Sequence, residues 1–303
     1  MNEAPGIEGK ALHSSEIAGS VGGPVIGVFD SGFGGLTVLK ALLRQIPAAQ
    51  FVFLGDTARL PYGSKSRRTI ARYAAESAQF LVDAQGAEFL VIACNTASAL
   101  ALDAIQEAVP VPVLGVIEPG AAAAAANSQS KDVLVIATEA TVASHAYAAA
   151  CRAQGLRGVE KACPLLVPLV EEGWIDHPVT AEVVRIYLNE LLEEARQAGQ
   201  SPDTLVLGCT HYPLLREVFE KALPEGIRVV DSAEATAAEA ARLVAASIAQ
   251  VSSSRPGAPA LVKSEAAPSI RCFATDSVEK FERLGSRFLG LPVGKVELVD
   301  LGG

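Results

Sequence analysis

The 303-residue chain is too long for one small core and long enough for two α/β domains. Its formal net charge of −9, its 5% aromatic content and the absence of any basic patch argue against a nucleic-acid partner. No run of about 18 apolar residues occurs, so no membrane span is expected; the nearest, Gly120–Ala126, is bounded by Glu118, Pro119 and Asn127.

In chain order, Met1–Gly23 carries Glu3, Glu8 and Glu16 without an apolar core, and reads as a loose polar arm rather than a signal peptide. Val25–Phe29, Gln50–Leu54, Phe89–Ala93 and Val111–Val116 are apolar runs of strand length. Helical stretches such as Leu36–Gln45 and Arg67–Gly86 lie between them. A second series of strands is predicted at Val133–Ala137, Lys161–Leu166, Thr204–Gly208 and Ile227–Val230. Ser252–Pro268, rich in Ser, Pro, Ala and Gly, reads as a mobile loop before a last strand, Ile270–Ala274. This β-α-β alternation predicts an α/β fold with parallel sheets covered by helices.

The two series share an internal order. Each opens with a strand that ends in a polar turn, Asp30-Ser31 in one and Thr138-Glu139-Ala140-Thr141 in the other. Each later supplies a strand ending in cysteine. This faint repeat predicts two similar domains facing each other. Parallel sheets bind ligands at strand carboxyl ends, which would place both cysteines in one cleft.

The five cysteines are Cys94, Cys151, Cys163, Cys209 and Cys272. Their number is odd and no C-x-x-C pair exists, so neither a disulfide framework nor a structural zinc site is supported. Reduced cytosolic thiols fit best. Cys151, Cys163 and Cys272 read as small buried hydrophobes. Cys94 and Cys209 differ: each ends an apolar run, precedes small polar residues, and would face a helix N-terminus. A thiol so placed is poised to become a thiolate. Two of them suggest a matched acid and base.

Other segments keep two readings. Gly27–Leu36 is a strand, a glycine-rich turn and a helix start, either an anion cradle or a tight turn capped by Asp30. It matches neither a dinucleotide fingerprint nor a Walker A loop. Gly55–Gly63, with Pro61 and Gly63, is either a ligand-facing turn or a plain surface turn. Gly208-Cys209-Thr210-His211 admits a cysteine hydrolase, although His211 stands where a nucleophile elbow needs glycine. Pro168–Trp174 puts Glu171 and Glu172 in an expected loop. His13, His145 and His177 lack ligand spacing and read as surface or capping residues.

Together, Phe29-Asp30-Ser31-Gly32, Pro61-Tyr62-Gly63, Ala93-Cys94-Asn95-Thr96 and Gly208-Cys209-Thr210-His211 resemble the glutamate racemases of the cofactor-independent aspartate/glutamate racemase superfamily. The resemblance runs from about Gly27 to Leu289. It implies that Cys94 and Cys209 are the catalytic thiols, assisted by Asp30 and His211. It matches Asp30, Ser31, Tyr62, Gly63, Asn95, Thr96, Thr210 and His211 to substrate-binding positions, and adds Thr138, Thr141 and Glu171 more weakly.

The resemblance further implies interconversion of L- and D-glutamate without cofactor or metal, supplying D-glutamate for peptidoglycan, by a cytoplasmic homodimer. One α/β domain would comprise residues 1–117 and 228–303, the other 118–227. The arm before Val25 and the 252–268 stretch depart from compact members. A two-domain amino-acid receptor that carries out no chemistry and a racemase of another acidic amino acid are the rival readings.

Overall fold

The computed structural model describes residues 23–254 and 269–302. The expectations for the arm up to residue 22 and for residues 255–268 lie outside the described residues; residues 252–254 are the end of a helix rather than loop.

The chain opens with β1 (Val25–Asp30), α1 (Leu36–Gln45), β2 (Gln50–Gly55) and α2 (Arg67–Gln79), which one π-helical turn prolongs at Phe80–Ala84. It continues with β3 (Phe89–Ile92), α3 (Asn95–Leu100), α4 (Leu102–Ala108), β4 (Val113–Gly115) and α5 (Ile117–Asn127). Next come β5 (Asp132–Ala137), α6 (Glu139–Ser144), α7 (Ala146–Ala153), β6 (Arg157–Ala162), α8 (Leu166–Glu171) and α9 (Pro178–Gln197). Then follow β7 (Thr204–Gly208), α10 (Arg216–Ala222), β8 (Arg228–Asp231) and α11 (Ala233–Ser254). The chain closes with β9 (Ser269–Ala274), α12 (Val278–Leu289) and β10 (Val296–Leu298).

Two parallel sheets result, as the alternation predicts. One has six strands in the order β10-β9-β2-β1-β3-β4, the other four in the order β6-β5-β7-β8. The four strands β2-β1-β3-β4 therefore repeat in β6-β5-β7-β8, which gives the sequence repeat a structural form. Strands buried on both faces need continuous apolar runs. Phe51, Val52, Phe53 and Leu54 in β2, and Val133 to Ala137 in β5, are buried without alternation.

Register aligns the strand ends that matter. Phe29 pairs with Ile92, so the turn after β1 lies beside Cys94. Ala137 pairs with Gly208, so Thr138 lies beside Cys209. A common apolar core joins the sheets, running from Phe33, Leu36 and Phe53 to Ile136, Leu205 and Leu188. α12 docks on it through Phe281, Leu284, Phe288 and Leu289, an i, i+3, i+7, i+8 stripe. Each such side chain contributes about 2 kcal/mol of burial, enough to fix the helix without help from its charges.

Several boundaries differ from expectation. The strand expected at Lys161–Leu166 is β6 at Arg157–Ala162. It is an edge strand with half-exposed polar residues, so apolar patterning does not mark it. Leu166 instead begins α8, and Glu171 is the last residue of that helix rather than part of a loop. β10, three residues at a sheet edge, had no sequence signal. The expected return to the first domain at residue 228 meets β8, which pairs with β7 in the four-stranded sheet. His145 and His177 are capping residues as expected, His145 in the left-handed conformation and His177 accepting from the Val179 N–H.

Candidate active site

Cys94 follows β3 and caps α3. Its sulfur accepts the Ala97 N–H at 3.4 Å, and its thiol donates to Ser31 Oγ at 3.4 Å. Burial is the main reason that its pKa is pushed up to about 12; the charge of Asp30 adds to it, while the Ser31 and Ala97 contacts pull the other way. Cys209 follows β7, and a 3-10 turn at Tyr212–Leu215 comes next rather than an α-helix. Its sulfur is 4.0 Å from His211 Nδ1.

His211 is buried, and burial alone would lower its pKa. Its contacts with Cys209 and with Glu171 outweigh that and raise it to about 10. Its Nε2 faces Glu171 Oε1 at 3.4 Å, an ion-pair distance without the alignment of a hydrogen bond. The other Glu171 oxygen accepts from Lys280 Nζ at 2.9 Å. Burial would raise the Glu171 carboxyl, but His211 and then Lys280 hold it below its ordinary value. Phe33 and Phe288 pack on the His211 ring, with centroids at 5.8 and 5.3 Å.

Both sulfurs line one cleft between the sheets. The first sheet adds Ser31, Tyr62, Gly63, Asn95 and Thr96; the second adds Thr138, Glu171, Thr210 and His211. The cleft thus unites all but two of the residues singled out in the sequence. Asp30 and Thr141, both fully buried, lie behind the lining. Asp30 Oδ2 accepts the Gly32 N–H at 3.0 Å, Oδ1 has no partner, and burial raises the carboxyl above its usual range.

The walls are held by contacts between the two halves. The hydroxyls of Thr96, Thr138 and Thr141 form a triangle, with oxygens 2.9 to 3.2 Å apart. Tyr147 on α7 donates to Asn95 Oδ1 at 2.6 Å. Gly34 and Gly63 permit close approach. A Cβ at Gly34 would lie 2.4 Å from Thr210 Oγ1, and one at Gly63 would lie 2.8 Å from the Thr138 Cβ.

Sequence reasoning missed Leu60 and Val167, which close the cleft with apolar surface. It also missed Asp56, whose buried carboxylate receives the Tyr62 hydroxyl, the Arg59 Nε and the Thr275 hydroxyl. The string Asp56-Thr57-Ala58-Arg59 was on view, but a contact with Thr275 is not local. Among the described residues, no cluster of His, Cys, Asp and Glu has metal-binding geometry. No helix there is long and apolar enough to cross a membrane.

Residues 24–240 match the Asp/Glu/Hydantoin racemase family. The chain is 55% identical over 292 residues to the glutamate racemase of Koribacter versatilis, covering 92% of this chain and 98% of that protein. The crystal structure of Francisella tularensis glutamate racemase in complex with D-glutamate superposes with a TM-score of 0.78 at 34% identity, covering 92% and 98% of the two chains. The Thermus thermophilus glutamate racemase, solved with β-chloro-D-alanine, gives a TM-score of 0.76 at 44% identity and the same coverage. With these likenesses spanning the cleft and both sheets, the chain belongs to the Asp/Glu/Hydantoin racemase family and falls among its glutamate racemases.

Proposed function

We propose that the chain interconverts L- and D-glutamate by a two-base mechanism in which Cys94 and Cys209 serve opposite faces of the α-carbon. The observation that carries this reading is one cleft lined by two thiols, each from a different sheet and each at a strand carboxyl end. Inverting the α-carbon requires removing its proton on one face and delivering one on the other. A thiolate takes the α-proton, and the C–H electron pair passes into the carboxylate-stabilised carbanion. The thiol opposite then gives up its proton to that carbon and becomes the thiolate. The roles exchange in the reverse direction.

The α-proton beside a carboxylate is weakly acidic, so electrostatic stabilisation carries much of the barrier. Ser31, Tyr62, Gly63, Asn95, Thr96, Thr138 and Thr210, with Thr141 behind them, shape the cleft; their N–H and O–H groups can donate to the carboxylates and their oxygens can accept from the ammonium. The His211 imidazolium is placed to hold negative charge on the Cys209 sulfur. Asp30, Glu171 and His211 assist proton transfer rather than gross binding. No cofactor enters the scheme.

The family's role implies delivery of D-glutamate to peptidoglycan synthesis by a cytoplasmic homodimer. We also propose that the first domain comprises the six-stranded sheet with α1–α4 and α12, and the second the four-stranded sheet with α6–α10. Incubation of dialysed protein with L-glutamate, and separately with L-aspartate, followed by chiral chromatography tests the activity and its substrate. D-Glutamate formed only after pyridoxal phosphate is added would sink the cofactor-free scheme. In heavy water, early D-product should carry deuterium, whereas product retaining the substrate's own proton would point to a single base on both faces.

A further inference from the structure

Lys280 stands in the first turn of α12, the helix that the C-terminal segment returns to the first sheet. It lies outside the cleft lining, and its side chain is about one-third exposed. Its Nζ is 2.9 Å from Glu171 Oε2 on α8, on the other side of the domain boundary. Glu171 Oε1 faces His211 Nε2 at 3.4 Å, and His211 Nδ1 faces Cys209 Sγ at 4.0 Å. Ammonium, carboxylate, imidazole and thiol therefore form one chain running from α12 into the cleft.

We propose that Lys280 is a positioning residue for Cys209: it anchors the carboxylate that keeps the His211 imidazole against the thiol. The inference rests on the two-thiol reading above. Glutamate has three side-chain rotors, and its contact with His211 is too poorly aligned to hold it alone. The Lys280 contact fixes one oxygen and so aims the other. Without it, the carboxylate turns toward water, where it is better solvated. Burial is then opposed at His211 by the Cys209 contact alone, and the balance moves toward the neutral ring.

The charged and titratable groups facing His211 are Asp30 from β1, Cys209 just after β7 and Glu171 from α8. Those facing Glu171 are His211 and Lys280. Arg287 of α12 approaches the next turn, within 3.0 Å of a Cβ built at Gly173. Coupling to Glu171 separates two roles for Lys280. As a mere positive charge, it would act on the Cys209 sulfur whether or not position 171 carries a carboxylate. As an anchor, it acts only through that carboxylate.

The test uses the full chain with Lys280→Met, Lys280→Arg and Glu171→Gln, and reads alkylation of Cys209 and Cys94 by iodoacetamide at neutral pH through peptide mass spectrometry. Lys280→Met should slow Cys209 about tenfold, because alkylation follows thiolate population. Cys94 should change less than about twofold by the same logic, and Lys280→Arg should restore the Cys209 rate. Glu171→Gln should reproduce the loss, and adding Lys280→Met to it should cost little more. In turnover, kcat should fall by a similar factor with KM nearly constant. Equal slowing of both cysteines, faster Cys209, or no change would overturn the proposal. Alkylation needs no turnover, so the expected pattern in a protein that fails to racemise glutamate would sink the functional reading while upholding the anchor.

Discussion

The two cysteine sites match in topology and differ in electrostatics. Cys94 and Cys209 follow equivalent strands of the repeated order, yet Cys94 is set among neutral donors and the Asp30 carboxyl, whereas Cys209 faces a His211 imidazole backed by Glu171 and Lys280. Burial dominates at Cys94 and disfavours its thiolate. At Cys209, a charged ring stands ready for an anion. A structural repeat can duplicate position without duplicating chemistry; on the proposed two-base reading, one thiol holds its proton while the other does not, and the two exchange these states with each turnover.

The sharpest way to break the comparison is to delete one side. If each thiol serves one face, as proposed, Cys94→Ala and Cys209→Ala should each lower racemisation by about a thousandfold or more. Circular dichroism should show both variants folded, and polarimetry with L- and D-glutamate should show the loss in both directions.

Gly34→Ala comes next. Its Cβ would lie 2.4 Å from Thr210 Oγ1 and 2.8 Å from His211 Nδ1, so the turn after β1 must back away from the Cys209 side. A displacement near 1 Å costs roughly a hundredfold in rate, with the melting temperature little altered. Steady-state kinetics and thermal melts would separate the two effects.

Asp30→Ala and His211→Ala address the difference directly. Each should reduce kcat more than it raises KM, by roughly ten- to a hundredfold, since proton-transfer helpers act mainly in the transition state. A pure KM effect would reassign them to ground-state binding.

The smallest effect sharpens the electrostatic contrast. His211 is raised from an unfolded value near 6.5 to about 10 in the folded protein. A group raised on folding contributes stability that is complete below its unfolded pKa and vanishes as pH rises through the folded one. Melting temperatures of the wild type should therefore decline between about pH 6.5 and pH 10. His211→Ala should lack that part of the decline.

Sequence made the parts with local signatures readable. Continuous apolar runs marked β1, β2, β3, β5 and β7 because strands buried on both faces leave no room for polar residues. Both thiols and their adjacent donors were visible because they sit at the ends of those runs. Two of the four edge strands, β6 and β10, were not. β6 reads Arg-Gly-Val-Glu-Lys-Ala, with one side open to water, and β10 is only three residues long. Glu171 looked like a loop residue because Pro168 and Gly173 flank it, yet Pro168 fits within the first turn of α8, where its missing N–H costs nothing. Asp56 and Lys280 stayed hidden for a different reason. Each acts through a residue distant in sequence, Thr275 in one case and Glu171 in the other, and no window along the chain contains both partners.

The order of the six-stranded sheet also has a consequence for synthesis. β1 through β4 are complete by Gly115, but β9, which flanks β2, begins at Ser269. A ribosome has therefore extruded both thiols and the whole four-stranded sheet before the opposite edge of the first sheet exists. Until α12 emerges, the nascent chain lacks the Phe288 that packs on His211 and the Lys280 that grips Glu171. The two thiols are written early and their surroundings are assembled last, so a chain cut short near its end carries every sequence motif and not the finished cleft.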